Sequence, residues 1–122
     1  MRNRSVFRVS LSIALFALAV CATRAQNPQT ELRTVHGVVL DKNENPVPTS
    51  IVYLLNVKTQ AVRTYIADAA GQYRFSGLDP NVDYEVHAEH GKLTSRVRTV
   101  SSFDSRRDIE LVLKLLHSKP AK

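Results

Sequence analysis

From Thr34 onward the chain reads as short runs rich in β-branched and aromatic residues, alternating between apolar and polar, and cut by clusters of Asp, Asn, Pro and Gly. No apolar spacing of 3.6 is sustained for ten residues, so strands are the repeating element. The runs are 34–41, 50–57, 61–68, 72–76, 83–90, 93–100 and 108–116. Seven strands are predicted, and each gap has a local cause. Between the first two runs stand Asn43, Asn45, Pro46 and Pro48. Proline brings no N–H to a ladder, so the chain must leave one strand there and cross over. Asp68-Ala69-Ala70-Gly71 puts a side-chain acceptor at the start of a tight turn and a residue tolerant of positive φ at its end. Gly77-Leu78-Asp79-Pro80-Asn81 and His90-Gly91-Lys92 are two further breaks. Ile109, Leu111, Leu113 and Leu115 alternate strictly and are expected to line a core. The whole predicts an all-β, seven-stranded antiparallel sandwich of two sheets around one interior.

The N-terminal third departs from this pattern. Arg2, Arg4 and Arg8 precede an apolar run, 9–20, interrupted only by Ser10 and Ser12, which is the layout of a secretory signal. About a dozen residues fall short of the roughly twenty that a bilayer-spanning helix needs, so no permanent membrane span is expected. Thr23-Arg24-Ala25 offers small residues one and three positions before a cut at Gln26. The expected organisation is a signal peptide over 1–25, a tether over 26–33, the sandwich over 34–116 and a flexible tail over 117–122. A competing reading takes Leu18-Ala19-Val20-Cys21 as a lipoprotein box with Cys21 lipidated; Val20 opposes it, standing where a small residue is usual.

Removing the signal changes the charge picture. The chain has 17 basic and 11 acidic residues, but Arg2, Arg4, Arg8 and Arg24 leave with the first 25, so 13 basic residues face 11 acidic ones. That is an ordinary solubility balance, with no clustered basic face beyond Arg96 with Arg98 and Arg106 with Arg107, and it excludes nucleic acid as an expected partner. The single cysteine leaves as well. The domain must then hold together by burial and strand pairing, with no disulfide.

Candidate chemistry is sparse. The histidines are His36, His87, His90 and His117. His87-Ala88-Glu89-His90 is the nearest to a metal motif, but residues three apart on a strand point to opposite faces. Asp41-x-Asn43-x-Asn45 begins like a calcium loop, then places Pro46 where Gly is needed and Val52 where the closing Glu belongs. No Ser lies in a Gly-x-Ser-x-Gly elbow, and no Gly-rich phosphate loop exists among four glycines. No catalytic residue, metal site or cofactor is predicted, and no enzyme.

The ordered set Gly37-x-Val39-x-Asp41, Pro46-Val47-Pro48, Val52-x-Leu54, Asp68-x-x-Gly71-x-Tyr73-x-Phe75-x-x-Leu78-x-Pro80 and Tyr84-x-Val86 resembles the carboxypeptidase regulatory-like domain over about 34–115. The resemblance implies a transthyretin (prealbumin)-like sandwich of Greek-key type, also grouped with starch-binding-like sandwiches and commonly found outside the bacterial cytoplasm. Ser50, Ile66-Ala67 and Asn81 depart from the family pattern without touching an activity. The catalytic domain in the family's label is a neighbour for which this chain has no room. The motif residues Gly37, Asp41, Pro46, Asp68, Gly71, Tyr73, Phe75, Leu78, Pro80 and Tyr84 read as structural. Gly71 serves a turn, Tyr73 and Phe75 share one face, and Leu78 plugs the end of the sandwich. Tyr84 resembles a tyrosine corner, which fibronectin type III and immunoglobulin-like sandwiches, the alternative folds, also possess.

If Val52 and Leu54 face inward as the resemblance implies, Tyr53 faces outward. Pairing Val52 with Ile66 then sets Tyr53 opposite Tyr65 in an outer patch able to stack on a sugar or a partner chain. The leading expectation is a non-catalytic extracytoplasmic module for protein interaction or adhesion at the cell envelope. A carbohydrate-binding module is the alternative, which the absence of Trp opposes, and a small enzyme comes third. An unknown envelope protein or a polysaccharide is the expected partner. Self-association through an open sheet edge is compatible with each version.

Overall fold

The computed structural model describes residues 31–120. They form nine strands and no helix: β1 Arg33–Leu40, β2 Ile51–Asn56, β3 Val62–Ile66, β4 Gln72–Leu78, β5 Tyr84–His90, β6 Leu93–Ser95, β7 Arg98–Val100, β8 Asp108–Glu110 and β9 Leu113–Ser118. The expected signal peptide, Cys21 and most of the tether lie outside the described residues. No helix among the described residues is long and apolar enough to cross a membrane.

β4, β1 and β8 make one layer, and β3, β2 and β5 with β6 and β7 make the other. β9 joins them, pairing its first residues with β1 and its later ones with β6. Hydrogen-bonded order therefore runs β3-β2-β5-β6-β9-β1-β4, with β3 and β4 at the two ends. Alternation along β1 turns Val35 and Val39 inward, and the same parity buries Val52 and Leu54 in β2 and Tyr84, Val86 and Ala88 in β5. These residues and the inward row Ile109, Leu111, Leu113 and Leu115 form one continuous apolar core.

Several expectations need correction. Seven runs become nine strands because two of them break. In 93–100, the Ser95 hydroxyl turns inward, accepts the Ala88 N–H at 2.9 Å and donates to the Arg96 carbonyl at 3.1 Å, which interrupts the ladder between β6 and β7. In 108–116, the Leu111 carbonyl leaves the ladder and is taken by the Tyr73 hydroxyl at 2.7 Å, separating β8 from β9. The sheets are not wholly antiparallel either, since β1 runs parallel to both β8 and β9. Strand structure also runs past both ends of 34–116. Arg33, assigned to the tether, opens β1, and β9 continues to Ser118, where a loose tail was expected.

β4 carries a bulge at Ser76-Gly77, seen as a register shift against β1 between Arg33 and Val35. The extra residue lets Phe75 and Leu78, three apart, both face the core. Leu78 thereby closes the end of the sandwich.

Candidate functional site

The motif residues divide into turn clasps and core members. Asp41 accepts the N–H groups of Asn43 at 2.8 Å and Asn45 at 2.9 Å on one carboxylate oxygen, so the segment resembling a calcium loop is a self-clasped turn. Asp68 does the same for Ala70 at 3.0 Å and Gln72 at 2.9 Å, and Asp79, before Pro80, for Asn81 at 2.8 Å. Pro46 bridges back to Leu40 and stands beside Gly71. Tyr73 and Phe75 are buried side by side, their ring centroids 6.1 Å apart. The Tyr84 ring is buried, and its hydroxyl accepts the Asp79 N–H at 3.0 Å, five residues upstream.

Tyr73, Gly37 and Leu111 form a close joint. A Cβ built on Gly37 would lie 1.8 Å from the Leu111 carbonyl oxygen, so only glycine admits that carbonyl to the Tyr73 hydroxyl. Burial pushes the Tyr73 phenol well above its ordinary pKa, with a smaller opposing effect from Arg98 and a reinforcing one from Glu110.

The two tyrosines expected to share an outer patch lie on opposite faces. β3 is displaced by one residue from the expected register: Val52 pairs with Tyr65 and Tyr53 with Thr64. Because side chains alternate with period two, this shift turns Tyr65 toward the interior rim, edge-on to Phe75 at 6.0 Å, and turns Ile66 outward. Tyr53 does face outward. Its partner is His87 on β5, stacked at 4.9 Å with the planes 9° apart. His87 lies 3.1 Å from a Glu89 carboxylate oxygen, and Lys119 lies 3.2 Å from the other. Partial burial opposes ionisation of Glu89, but the hydrogen bonds from His87 and Lys119 outweigh it and lower the pKa.

Around this stack the outer face of the β3-β2-β5 layer is apolar. A shallow depression of about 250 Å³ is lined by Tyr53, Leu55, Val62, Glu85, His87 and Val97. Ile51 and Ile66 pair beside it and remain exposed. A second depression, about 350 Å³, lies against Arg96, Arg98, Val112, Leu116 and His117, and a third, about 440 Å³, spans His36, Arg74, Asp68 and Glu110. His36 meets Asp108 at 3.1 Å. Among the described residues no three of His, Cys, Asp and Glu converge to hold a metal ion. Among the described residues no hydroxyl is bonded to the ring of either His36 or His87. What the outer face offers is apolar contact with a polar rim.

Two features escaped sequence reasoning. Arg33 is 2% exposed and is the largest fully buried side chain among the described residues. Its guanidinium donates to the carbonyls of Ser101 at 2.9 Å, Val82 at 3.1 Å and Asp104 at 3.2 Å. The available signal was parity, since Arg33 shares the inward phase of Val35 and Val39. The Tyr53–His87 stack carried no signal, because the offset between β2 and β5 is set across a long connection.

A family model, the carboxypeptidase regulatory-like domain, matches residues 34–114. No curated protein matches the sequence. Among solved structures, the BcpA major pilin subunit of Bacillus cereus is similar with a TM-score of 0.53 at 12% identity, over 67% of this chain and 29% of that one. Catechol 1,2-dioxygenase from Pseudomonas arvilla C-1 gives a TM-score of 0.51 at 13% identity, over 76% of this chain and 55% of the enzyme. The corresponding enzyme of Acinetobacter sp. ADP1 gives 0.50 at 12%, over 80% and 56%. The chain thus spans about half the length of the dioxygenases and under a third of the pilin subunit. At these identities the likeness is one of fold alone, a β-sandwich.

Proposed function

The chain belongs to the carboxypeptidase regulatory-like domain family, and from that premise we propose that it is an exported, non-catalytic β-sandwich that binds another protein at the cell envelope. The observation that carries this reading is the outer face of the β3-β2-β5 layer, where Ile51, Tyr53, Val62, Ile66 and Val97 leave apolar surface in solvent. A contiguous apolar patch rimmed by charge suits a protein partner. Here the rim is Glu85, Glu89 and Lys119. Sugar binding is less well supported, because stacking on His87 takes up one face of the Tyr53 ring. Export rests on Arg2, Arg4 and Arg8 ahead of the apolar run 9–20.

The test is retention of the purified protein on envelope protein fractions and, in parallel, on insoluble polysaccharides. Tyr53→Glu should weaken retention on the protein fraction by at least tenfold and leave the melting temperature within a few degrees. Retention on polysaccharide alone sinks the reading. Mass spectrometry of the exported form should find Gln26 at its N-terminus; an intact or Cys21-lipidated N-terminus would contradict the assigned signal.

A further inference from the structure

β3 is the only described strand in which every residue is exposed, and it ends the hydrogen-bonded order of the fold. Its backbone parity follows from its neighbours. Asn56 donates to Ala61 at 2.8 Å and Ala67 to Ser50 at 2.8 Å, so the hydrogen-bonded pairs with β2 fall at Ala61, Arg63, Tyr65 and Ala67. The N–H and C=O groups of Val62, Thr64 and Ile66 therefore point away from β2, along the open edge. Among the described residues no other group bonds to them. β3 contains no proline, no bulge and no lysine, and its one charge, Arg63, is turned to the inner face, over the Phe75 ring at 5.5 Å and against the Ser76 carbonyl at 3.4 Å, so it leaves the backbone edge itself uncovered.

Read from its centre, Val62-Arg63-Thr64-Tyr65-Ile66 is self-complementary. We propose that two copies of this protein pair through β3, antiparallel about a two-fold axis at Thr64, to make one continuous sheet across a homodimer. In this register Thr64 opposes Thr64 of the second copy, and Val62 opposes Ile66. All the outward backbone groups of Val62, Thr64 and Ile66 on both strands are then satisfied at once. The outer face gains two β-branched pairs and a threonine pair, which favour antiparallel association. On the inner face Arg63 opposes Tyr65, a cation beside an aromatic ring, and the one charge on each strand does not meet its own copy.

β4, the other end of the order, fails the same test. The Val39 N–H donates to the Gly71 carbonyl at 2.8 Å, so Gln72, Arg74 and Ser76 point away from β1. The Asp68 carboxylate already accepts the Gln72 N–H at 2.9 Å, the Asp68 N–H donates to the Gln72 carbonyl at 3.1 Å, and Arg63 donates to the Ser76 carbonyl at 3.4 Å. A two-fold axis there would set Arg74 against Arg74, and the bulge at Ser76-Gly77 breaks the ladder. Of the two strands that end the hydrogen-bonded order, β3 matches itself and β4 does not.

Sedimentation of the purified protein from micromolar to millimolar concentration should show a monomer–dimer equilibrium, as expected for a small interface. Thr64→Lys, which places two ammonium groups opposite each other on an exposed position, should weaken dimerisation at least tenfold with an unchanged melting curve. In a Cys21→Ser background, Thr64→Cys should oxidise to a covalent dimer, because directly opposed positions lie about 5.5 Å apart at Cα, within disulfide reach. Val62→Cys should not, its copies being roughly 14 Å apart along the strand, whereas Val62→Cys with Ile66→Cys should. A monomer at every concentration, or crosslinking at Val62 equal to that at Thr64, overturns the dimer. Either result leaves the outer-face reading to Tyr53→Glu, whose side chain lies on β2 outside this ladder.

Discussion

Tyr73 and Tyr84 are both buried, and each hydroxyl makes a single hydrogen bond to backbone, yet losing the two hydroxyls is not equivalent. Tyr73 donates to the Leu111 carbonyl inside the core, whereas Tyr84 accepts an N–H from Asp79 in a partly wet turn. Tyr73→Phe strands a buried acceptor and should cost about 1–3 kcal/mol in chemical denaturation, while Tyr84→Phe should cost about 0.5–1.5 kcal/mol because water can reach the freed N–H. The Tyr73 phenol also makes stability depend on pH. Its pKa is raised by burial from the ordinary 10.0. The unfolded phenol releases its proton near that value and the folded one retains it, so this contribution is whole below about pH 10 and is lost as pH rises toward the folded pKa. Wild-type stability should fall more steeply above pH 10 than that of Tyr73→Phe, measured as the denaturant midpoint at a series of alkaline pH values. The buried role of Tyr73 and Phe75 was legible from alternation with the turn at Gly71. That Tyr73 holds the Leu111 carbonyl was not, since 38 residues separate them.

Elements in this fold are shaped where two of them touch. β8 and β9 keep one register against β1 and are parted only at Leu111-Val112, where the carbonyl turns onto Gly37. Gly37→Ala would put a methyl group where that carbonyl sits, forcing β1 and the β8–β9 break apart. A loss of about 1–3 kcal/mol or more is expected, read as a lower melting temperature. The strand boundaries at 50–57 and 83–90 were plain from the sequence because proline, asparagine and glycine end them. The β2–β3 register was not. The connection around Lys58-Thr59 is closed by the Asn56 side chain, which accepts the N–H groups of Lys58 at 2.9 Å and Thr59 at 3.0 Å, and by the Gln60 N–H bonded to the Asn56 carbonyl at 2.7 Å. That turn sets Tyr53 against Thr64, and a one-residue difference moved every β3 side chain to the other face.

At the scale of the molecule, Arg33 ties together three segments distant in sequence, reaching from the start of β1 to Val82 and to the 101–104 loop. Arg33→Met would fill the space but orphan three carbonyl oxygens, at a cost on the order of 3 kcal/mol. The thermal midpoint should drop by roughly 12–24 °C. Arg33→Lys should recover only part of this, because an ammonium cannot span the same forked geometry. By itself the sequence determined an all-β sandwich, its inward rows, its turn clasps and its family, because strand parity and proline, aspartate and glycine punctuation act over a few residues. Tertiary structure alone decided that β1 lies parallel to β8 and β9, that a buried arginine closes one end, that Tyr65 turns inward while Tyr53 stacks on His87, and that β3 is left as the self-matching edge. Each of these depends on how separate strands are offset in space, and a period of two along one strand carries no information about its offset from the next.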